Sequence, residues 1–299
     1  MPEPSQLGQS IGPPRAQAPA GRGSFPGPIK WVRRWFRVGL AGLAFLGFSI
    51  GAALIAVFAM PWWWLLHARK PRFERAAACQ WWIKAGCTLL HDYMRWCGLI
   101  NFNPRLVDWK VPAGGFVIVA NHPTLVDVCA VAGIHGRLTC VAKTALFKSP
   151  FIGIIIRACD YLDGGAGDPF SGGLVVRQGV ERVKGGMPVL IFPEGTRSPE
   201  GGLRTFKRGA FEIACRANVP VLPLLITCDP PALGKGRPWY DIPRHSSQFQ
   251  VTPLAPLDPV DFGRDPVTMS GACEDLFRRR LGLAPPIAAG DARGSRANA

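Results

Sequence analysis

The chain is short of acid. Twenty Asp and Glu stand against 35 Lys and Arg, a formal net charge of +15 over 299 residues. That imbalance argues against a cationic partner and for an anionic one: nucleic acid, an anionic membrane surface or a negatively charged substrate. Paired cysteines are also missing. Cys79, Cys87, Cys97, Cys129, Cys140, Cys159, Cys215, Cys228 and Cys273 are scattered and odd in number, and no two form C-x-x-C, so zinc and dithiol redox spacings are excluded. Several lie in apolar runs, where a thiol acts as a small hydrophobe; the set reads as reduced core cysteines of a domain facing the cytoplasm. No G-x-S-x-G elbow is present to supply a serine nucleophile. No internal repeat occurs. Large apolar residues are almost absent from residues 1–29 and from 284–299. Such segments cannot offset the entropy of ordering and read as disordered tails.

What is present begins with a long uncharged run. Between Val38 and Leu66 there is no charged residue. Val38–Met60 alone has the ~20 apolar residues that a bilayer crossing takes. Gly47-x-x-x-Gly51 within it would let another helix approach closely. Pro61 then precedes Trp62, Trp63 and Trp64, a block suited to the membrane interface. A signal peptide fits poorly, because the run is too long and its basic flank starts far from Met1. A buried soluble helix is the other reading. Arg33, Arg34 and Arg37 flank one side, and Arg69, Lys70, Arg72 and Arg75 the other, so the positive-inside rule gives no direction. Such flanks suit either a transmembrane helix or a re-entrant hairpin with both ends cytoplasmic. Residues 73–100 mix Trp81, Trp82, Leu89, Leu90 and Trp96 with Lys84, Asp92 and Arg95. They read as an amphipathic helix, lying at the interface or packed on the domain that follows.

Beyond Asn101 the texture alternates. Strands are expected at 116–120, 138–142, 189–192, 221–227 and 248–252. Helices are expected at 125–134, 151–158, 174–184, 208–216 and 268–281. This is the signature of an α/β domain over 101–283, a mainly parallel sheet flanked by helices, behind a membrane-associated helical segment over 30–100.

Two clusters of functional side chains follow predicted strands, where active groups of α/β folds collect. The first is Asn121-His122-Pro123-Thr124-Leu125-Val126-Asp127. On one regular helix a spacing of five would put His122 and Asp127 on different faces. They meet if His122 sits in the turn and Asp127 in the first turn of the helix, which Pro123 and Thr124 support. A carboxylate on one imidazole nitrogen fixes the tautomer and frees the other nitrogen as a base. Standing alone, such a His is more often structural. The second cluster is Phe192-Pro193-Glu194-Gly195-Thr196-Arg197-Ser198, with Arg204, Lys207 and Arg208 close behind. A guanidinium there can fork onto phosphate; a surface turn with a salt bridge is the plainer alternative.

Taken together, these blocks resemble the lysophospholipid and glycerolipid acyltransferase family, of which 1-acylglycerol-3-phosphate O-acyltransferases are typical. The resemblance covers about residues 100–265. It rests on N-H-x4-D at His122 and Asp127, on F-P-E-G-T-R-S at 192–198, on Phe206-Lys207-Arg208-Gly209 and on Val219-Pro220-Val221-Leu222-Pro223. It implies direct transfer of a fatty acyl group from acyl-CoA or an acyl carrier protein to a lysophospholipid hydroxyl, in phospholipid biosynthesis at the cytoplasmic (inner) membrane. His122 would be the base and Asp127 its orienting partner. Glu194, Gly195, Thr196, Arg197 and Lys143 would bind substrate. No metal and no cofactor beyond the thioester co-substrate is implied. One block departs from the pattern. Where the family has K-x-E-L and then a phosphate-associated Arg, this chain has Lys143-Thr144-Ala145-Leu146 and Gly164. Lys143 or Arg157 would have to stand in for that Arg. The departure keeps open another lipid acceptor (ornithine-type, polyene- or sugar-bearing). A hydrolase using the same pair and a non-catalytic anionic-lipid scaffold remain the readings from other classes. Nucleic-acid binding is the weakest, because the basic residues are dispersed over tails and membrane flanks and no groove-reading motif occurs.

Overall fold

The computed structural model describes residues 28–165 and 169–284. Apart from Pro28, Ile29 and Ala284, the two tails expected to be disordered lie outside them.

The uncharged run forms a long helix that starts earlier than expected. Helix α1 (Pro28–Leu54) continues through a π turn (Ile55–Ala59) into α2 (Met60–Leu66). The stretch Trp31–Leu66 covers 36 residues and holds an 18-residue window with a mean hydropathy of 2.3; at 1.5 Å per residue it is about 54 Å long. Its small residues face inward: Ala41, Ala44 and Ala56, with Met60, belong to the domain's core. Leu43, Leu46, Ile50, Leu54, Val57, Phe58, Trp62 and Leu65 form an exposed stripe at helical spacing on the other side. Gly47 and Gly51 are not used for close packing; a Cβ built on either meets nothing within 4 Å. Arg37 is not a flanking charge but an anchor, donating to the carbonyls of Gly98 (2.9 Å), Pro243 (3.1 Å) and His245 (3.2 Å). Trp63 also turns inward and bonds the Ala78 carbonyl at 2.9 Å, whereas Trp62 and Trp64 face out.

Helix α3 (Arg72–Trp96) returns antiparallel to this rod. One face packs on the domain, where Ala76, Cys79, Gln80, Cys87, Leu90, His91 and Met94 are buried, and Trp81, Leu89 and Trp96 stay exposed on the other. Arg72 and the buried Arg182 share Asp160 at 2.8 and 3.0 Å, clasping the start of α3 to the sheet domain.

The remaining strands are β1 (Ile100–Asn101), β2 (Val117–Ala120), β3 (Thr139–Ala142), β4 (Leu162–Asp163), β5 (Val189–Ile191), β6 (Val221–Asp229) and β7 (Ser247–Pro253). Their order is β1-β7-β6-β2-β5-β3-β4, and only the β6–β7 pair is antiparallel. Between them run α4 (Asp127–Ile134), α5 (Thr144–Phe147), α6 (Ile152–Ala158), α7 (Pro169–Lys184) and α8 (Gly209–Ala217), and α9 (Pro266–Leu281) closes the domain. Period-two side chains divide the core into two layers. Ile118, Ala120, Leu190, Leu222 and Leu224 face α1, α3, α4 and α6. Val117, Val119, Val189, Val221 and Leu225 face α7, α8 and α9. The two-residue strands β1 and β4 are too short to show alternation, and neighbouring strands supply their pairing.

Candidate active site

Strand β2 delivers the first cluster. Where its ladder ends, the Asn121 amide extends it: Nδ2 donates to the Ile226 carbonyl at 2.8 Å and Oδ1 accepts from the Ile226 N–H at 2.7 Å. This clamp fixes the exit direction of the chain. His122 then lies in the turn, and Asp127 opens α4 as expected, with His122 Nδ1 and Asp127 Oδ2 2.7 Å apart. Asp127 is fully buried. Burial pushes its pKa up, while His122 and then Thr124 pull it back. It takes three donors, His122 Nδ1, the Thr124 N–H at 2.8 Å and the Thr124 hydroxyl. That set suits the ionised, acceptor-only carboxylate, and so does the positive end of α4. The imidazole stacks on Phe192, with centroids 4.3 Å apart and planes 28° from parallel. Among the described residues nothing is bonded to Nε2, and the side chain keeps 18% of its surface open.

Strand β5 delivers the second cluster, beside the first, because β5 pairs with β2 through Val119↔Ile191. Glu194 was expected at the substrate; its geometry is that of a brace. It is 4% exposed. Its Oε1 accepts from the His122 N–H (3.1 Å) and the Ser198 hydroxyl, and its Oε2 accepts from the Arg204 N–H at 2.9 Å. The Ser198 N–H in turn donates to the His122 carbonyl at 2.7 Å. Glu194 and Ser198 therefore lock the two turns together. Gly195 has φ +68° and carries the Lys207 side chain over its face, where a Cβ would meet Nζ at 3.0 Å. Thr196 is half-buried beside it. Arg197 donates from Nη1 to the carbonyls of Leu233 and Gly234, both at 2.9 Å.

Lys143 stands apart. It follows β3, two strands from β2 and so roughly 10 Å across the sheet, and is exposed. Arg157 is turned onto the Phe147 carbonyl and ring. At the departing position, a Cβ on Gly164 would meet the Ala142 carbonyl at 3.2 Å and Val141 at 3.3 Å, so a side chain there needs its neighbours to give. Asp163 beside it accepts from the Thr144 hydroxyl at 2.6 Å. Sequence reasoning missed Phe192 and Ser198 as partners of His122, although both lie in the second motif. It also missed Leu233, which no motif marks.

The Acyltransferase family model matches residues 106–227, a span that contains both clusters. Over 110 residues the chain is 36% identical to the chloroplastic 1-acyl-sn-glycerol-3-phosphate acyltransferase BAT2 of Brassica napus, covering 37% of this chain and 32% of that one. The 1-acyl-sn-glycerol-3-phosphate acyltransferase of Escherichia coli (strain K12) is 26% identical over 171 residues, covering 56% and 67%. The chain thus spans about a third of the length of the plant relatives and two thirds of the bacterial one. Among solved structures, the 1-acyl-sn-glycerophosphate (LPA) acyltransferase PlsC from Thermotoga maritima superposes with a TM-score of 0.63 over 85% of this chain and 96% of that one. At 22% identity that likeness is one of fold.

Proposed function

From the premise that residues 106–227 form an acyltransferase-family domain, we propose that the protein is a membrane-bound O-acyltransferase. It passes a fatty acyl group from acyl-CoA or an acyl carrier protein to the free hydroxyl of a lysophospholipid such as 1-acylglycerol-3-phosphate. The observation that carries this reading is the His122–Asp127 pair at 2.7 Å, with the second imidazole nitrogen unengaged among the described residues and the ring held on Phe192.

His122 Nε2 takes the proton of the acceptor hydroxyl. The oxygen attacks the thioester carbonyl, the C–O bond forms, the C–S bond breaks, and His122 returns the proton to the departing thiolate. Asp127 holds the tautomer and stabilises the imidazolium. The 192–198 turn, with Thr196, Gly195 and the overlying Lys207, forms the neighbouring wall and suits an anionic head group. The exposed apolar stripe of α1 and α2 supplies the membrane seat. Nine free thiols suit a catalytic domain facing the cytoplasm.

The test is transfer of radiolabelled acyl groups in membranes, with both donors and a panel of lyso-lipids, for wild type and His122→Ala. The expected result is a phospholipid product that the variant fails to make while it folds normally. Free fatty acid as the only product would favour a hydrolase, and full cellular function of the variant a scaffold. Gly164 motivates including ornithine-type and sugar-bearing lipids in the panel.

A further inference from the structure

Helices α8 and α9 cover the face of the sheet opposite the apolar rod. Between them opens a groove of about 490 Å³, lined by Arg208, Glu212, Cys215, Arg216, Arg264 and Pro266. Its upper end adjoins the catalytic turn: the Lys207 N–H donates to the Pro193 carbonyl at 2.9 Å, and Arg208 then opens α8. Its lower end lies at the other edge of the sheet, where Arg264 Nε donates to Asn218 Oδ1 at 3.1 Å. The nine residues of α8 hold the two ends roughly 14 Å apart.

Three arginines face one carboxylate in this groove. Glu212 accepts from Arg208 at 2.9 Å and from Arg216 at 3.0 Å, yet the two arginine side chains stay 70% and 61% exposed. Arg264 has only a neutral partner among the described residues. Asp265, next to it in the chain, is turned onto α9, where it accepts from the N–H groups of Val267 and Thr268 and from the Thr268 hydroxyl. Apolar surface borders the cations, since Pro266 lines the groove and Val267 beside it is exposed. Arginine beside open apolar surface is the make-up of a protein-binding face. The sheet lies between the groove and the rod, so a bilayer seated on the rod's outer stripe does not reach it. A nucleotide would gather its cations around a few phosphates; these are spread along α8.

We propose that the groove between α8 and α9 docks the acyl donor as a carrier protein of acidic surface, which lies along α8 while its thioester arm passes over Lys207 to the turn that holds His122. The proposal rests on the acyl-transfer reading above and selects one of its two donors.

The experiment uses the full chain in detergent micelles, with hexadecanoyl thioesters of acyl carrier protein and of CoA as donors and lysophosphatidic acid as acceptor. Binding of fluorescently labelled holo acyl carrier protein is followed by anisotropy, and flotation on phosphatidylglycerol–phosphatidylcholine vesicles is measured alongside. The double variant Arg216→Glu/Arg264→Glu is expected to raise KM for the carrier-protein donor about tenfold or more, because charge reversal acts on steered association. Its kcat and KM with the CoA donor stay at the wild-type values. Added salt raises the carrier-protein KM in wild type and much less in the variant. Glu212→Gln, which frees two arginines, tightens carrier binding, a gain that damage to the fold does not produce. Unchanged carrier-protein KM and affinity in the double variant overturn the proposal. So does an equal rise with both donors, which makes the groove a nucleotide site. Lost flotation with carrier affinity intact overturns it too and makes the groove a membrane contact. If wild type uses CoA and does not bind the carrier protein, the docking proposal falls while the acyl-transfer reading stands. If neither donor is used, the acyl-transfer reading falls, and binding of the labelled carrier protein alone decides the groove.

Discussion

At the scale of single residues, two carboxylates that look alike in the sequence have different work. Asp127 and Glu194 each follow a buried strand in a polar motif, and both read there as functional. Asp127 faces the His122 imidazole. Glu194 faces only backbone N–H groups and Ser198, and its effect reaches His122 through the position of the turn. Asp127→Asn is therefore expected to keep the fold and lower kcat by about 10²–10⁴, the range of acid–base catalysis by a positioned side chain, because an amide no longer selects the tautomer with Nε2 free. Steady-state kinetics on a variant with an unchanged circular dichroism spectrum checks this; a loss under threefold would remove Asp127 from the mechanism. His122 and Asp127 were legible because their spacing is local. The brace was not, since nothing in a one-dimensional motif says that Glu194 sits beside the His122 N–H across two strands.

Elements were legible where their pattern was long. The strands at β2, β5, β6 and β7 and the helices at α4, α6, α8 and α9 fall within about two residues of their expected bounds. Helix α7 begins five residues early, at Pro169, because the glycines at 172 and 173 hide its first turn. For α3, amphipathy alone left two partners open, and the choice depended on residues far away. His91 shows what packing on the domain entails. It is 1% exposed, meets Phe102 edge-on and Phe249 at a tilt, and bonds the Cys87 carbonyl through Nδ1 at 2.8 Å. Burial holds its pKa below the usual histidine value, with Cys87 and Asp92 opposing. Burial, with Lys84 and Arg137, does the same to His135. The unfolded chain takes up protons near pH 6.5 that the folded chain refuses until lower pH. Folding stability is therefore fully present above that value and falls as pH drops through the window, by at most about 1.4 kcal/mol per pH unit per histidine. His91→Leu is expected to flatten that decline while costing little at pH 7.5. Denaturant melts between pH 7.5 and 5 measure it, and equal slopes in the two proteins would refute it.

At the scale of the whole molecule, the question is how the apolar rod meets a bilayer. Length and hydropathy let Trp31–Leu66 cross one, but the domain touches the rod nearly from end to end. Arg37 is bonded to the 243–245 carbonyls, Leu40 accepts from the Tyr93 hydroxyl, Trp239 lies on Gly42, and Trp63 bonds Ala78. From Arg37 to Trp63 is roughly 39 Å of helix, more than the ~30 Å hydrocarbon core. A perpendicular crossing would drag irregular, polar backbone such as residues 230–246, between β6 and β7, into lipid, where its groups have no partners. Our proposal of a membrane-bound enzyme then predicts a rod that lies along the membrane surface, with the domain on one side and the stripe from Leu43 to Leu65 in the acyl region on the other. Both of its ends then open to the same compartment, which suits the basic residues on both flanks. An epitope placed ahead of Pro28 and another in the 67–70 turn are expected to be cleaved by protease from the same face of sealed vesicles, the face that also exposes the catalytic domain. Protection of one epitope but not the other would mean that the rod spans, and that its packing against the domain is given up in the membrane.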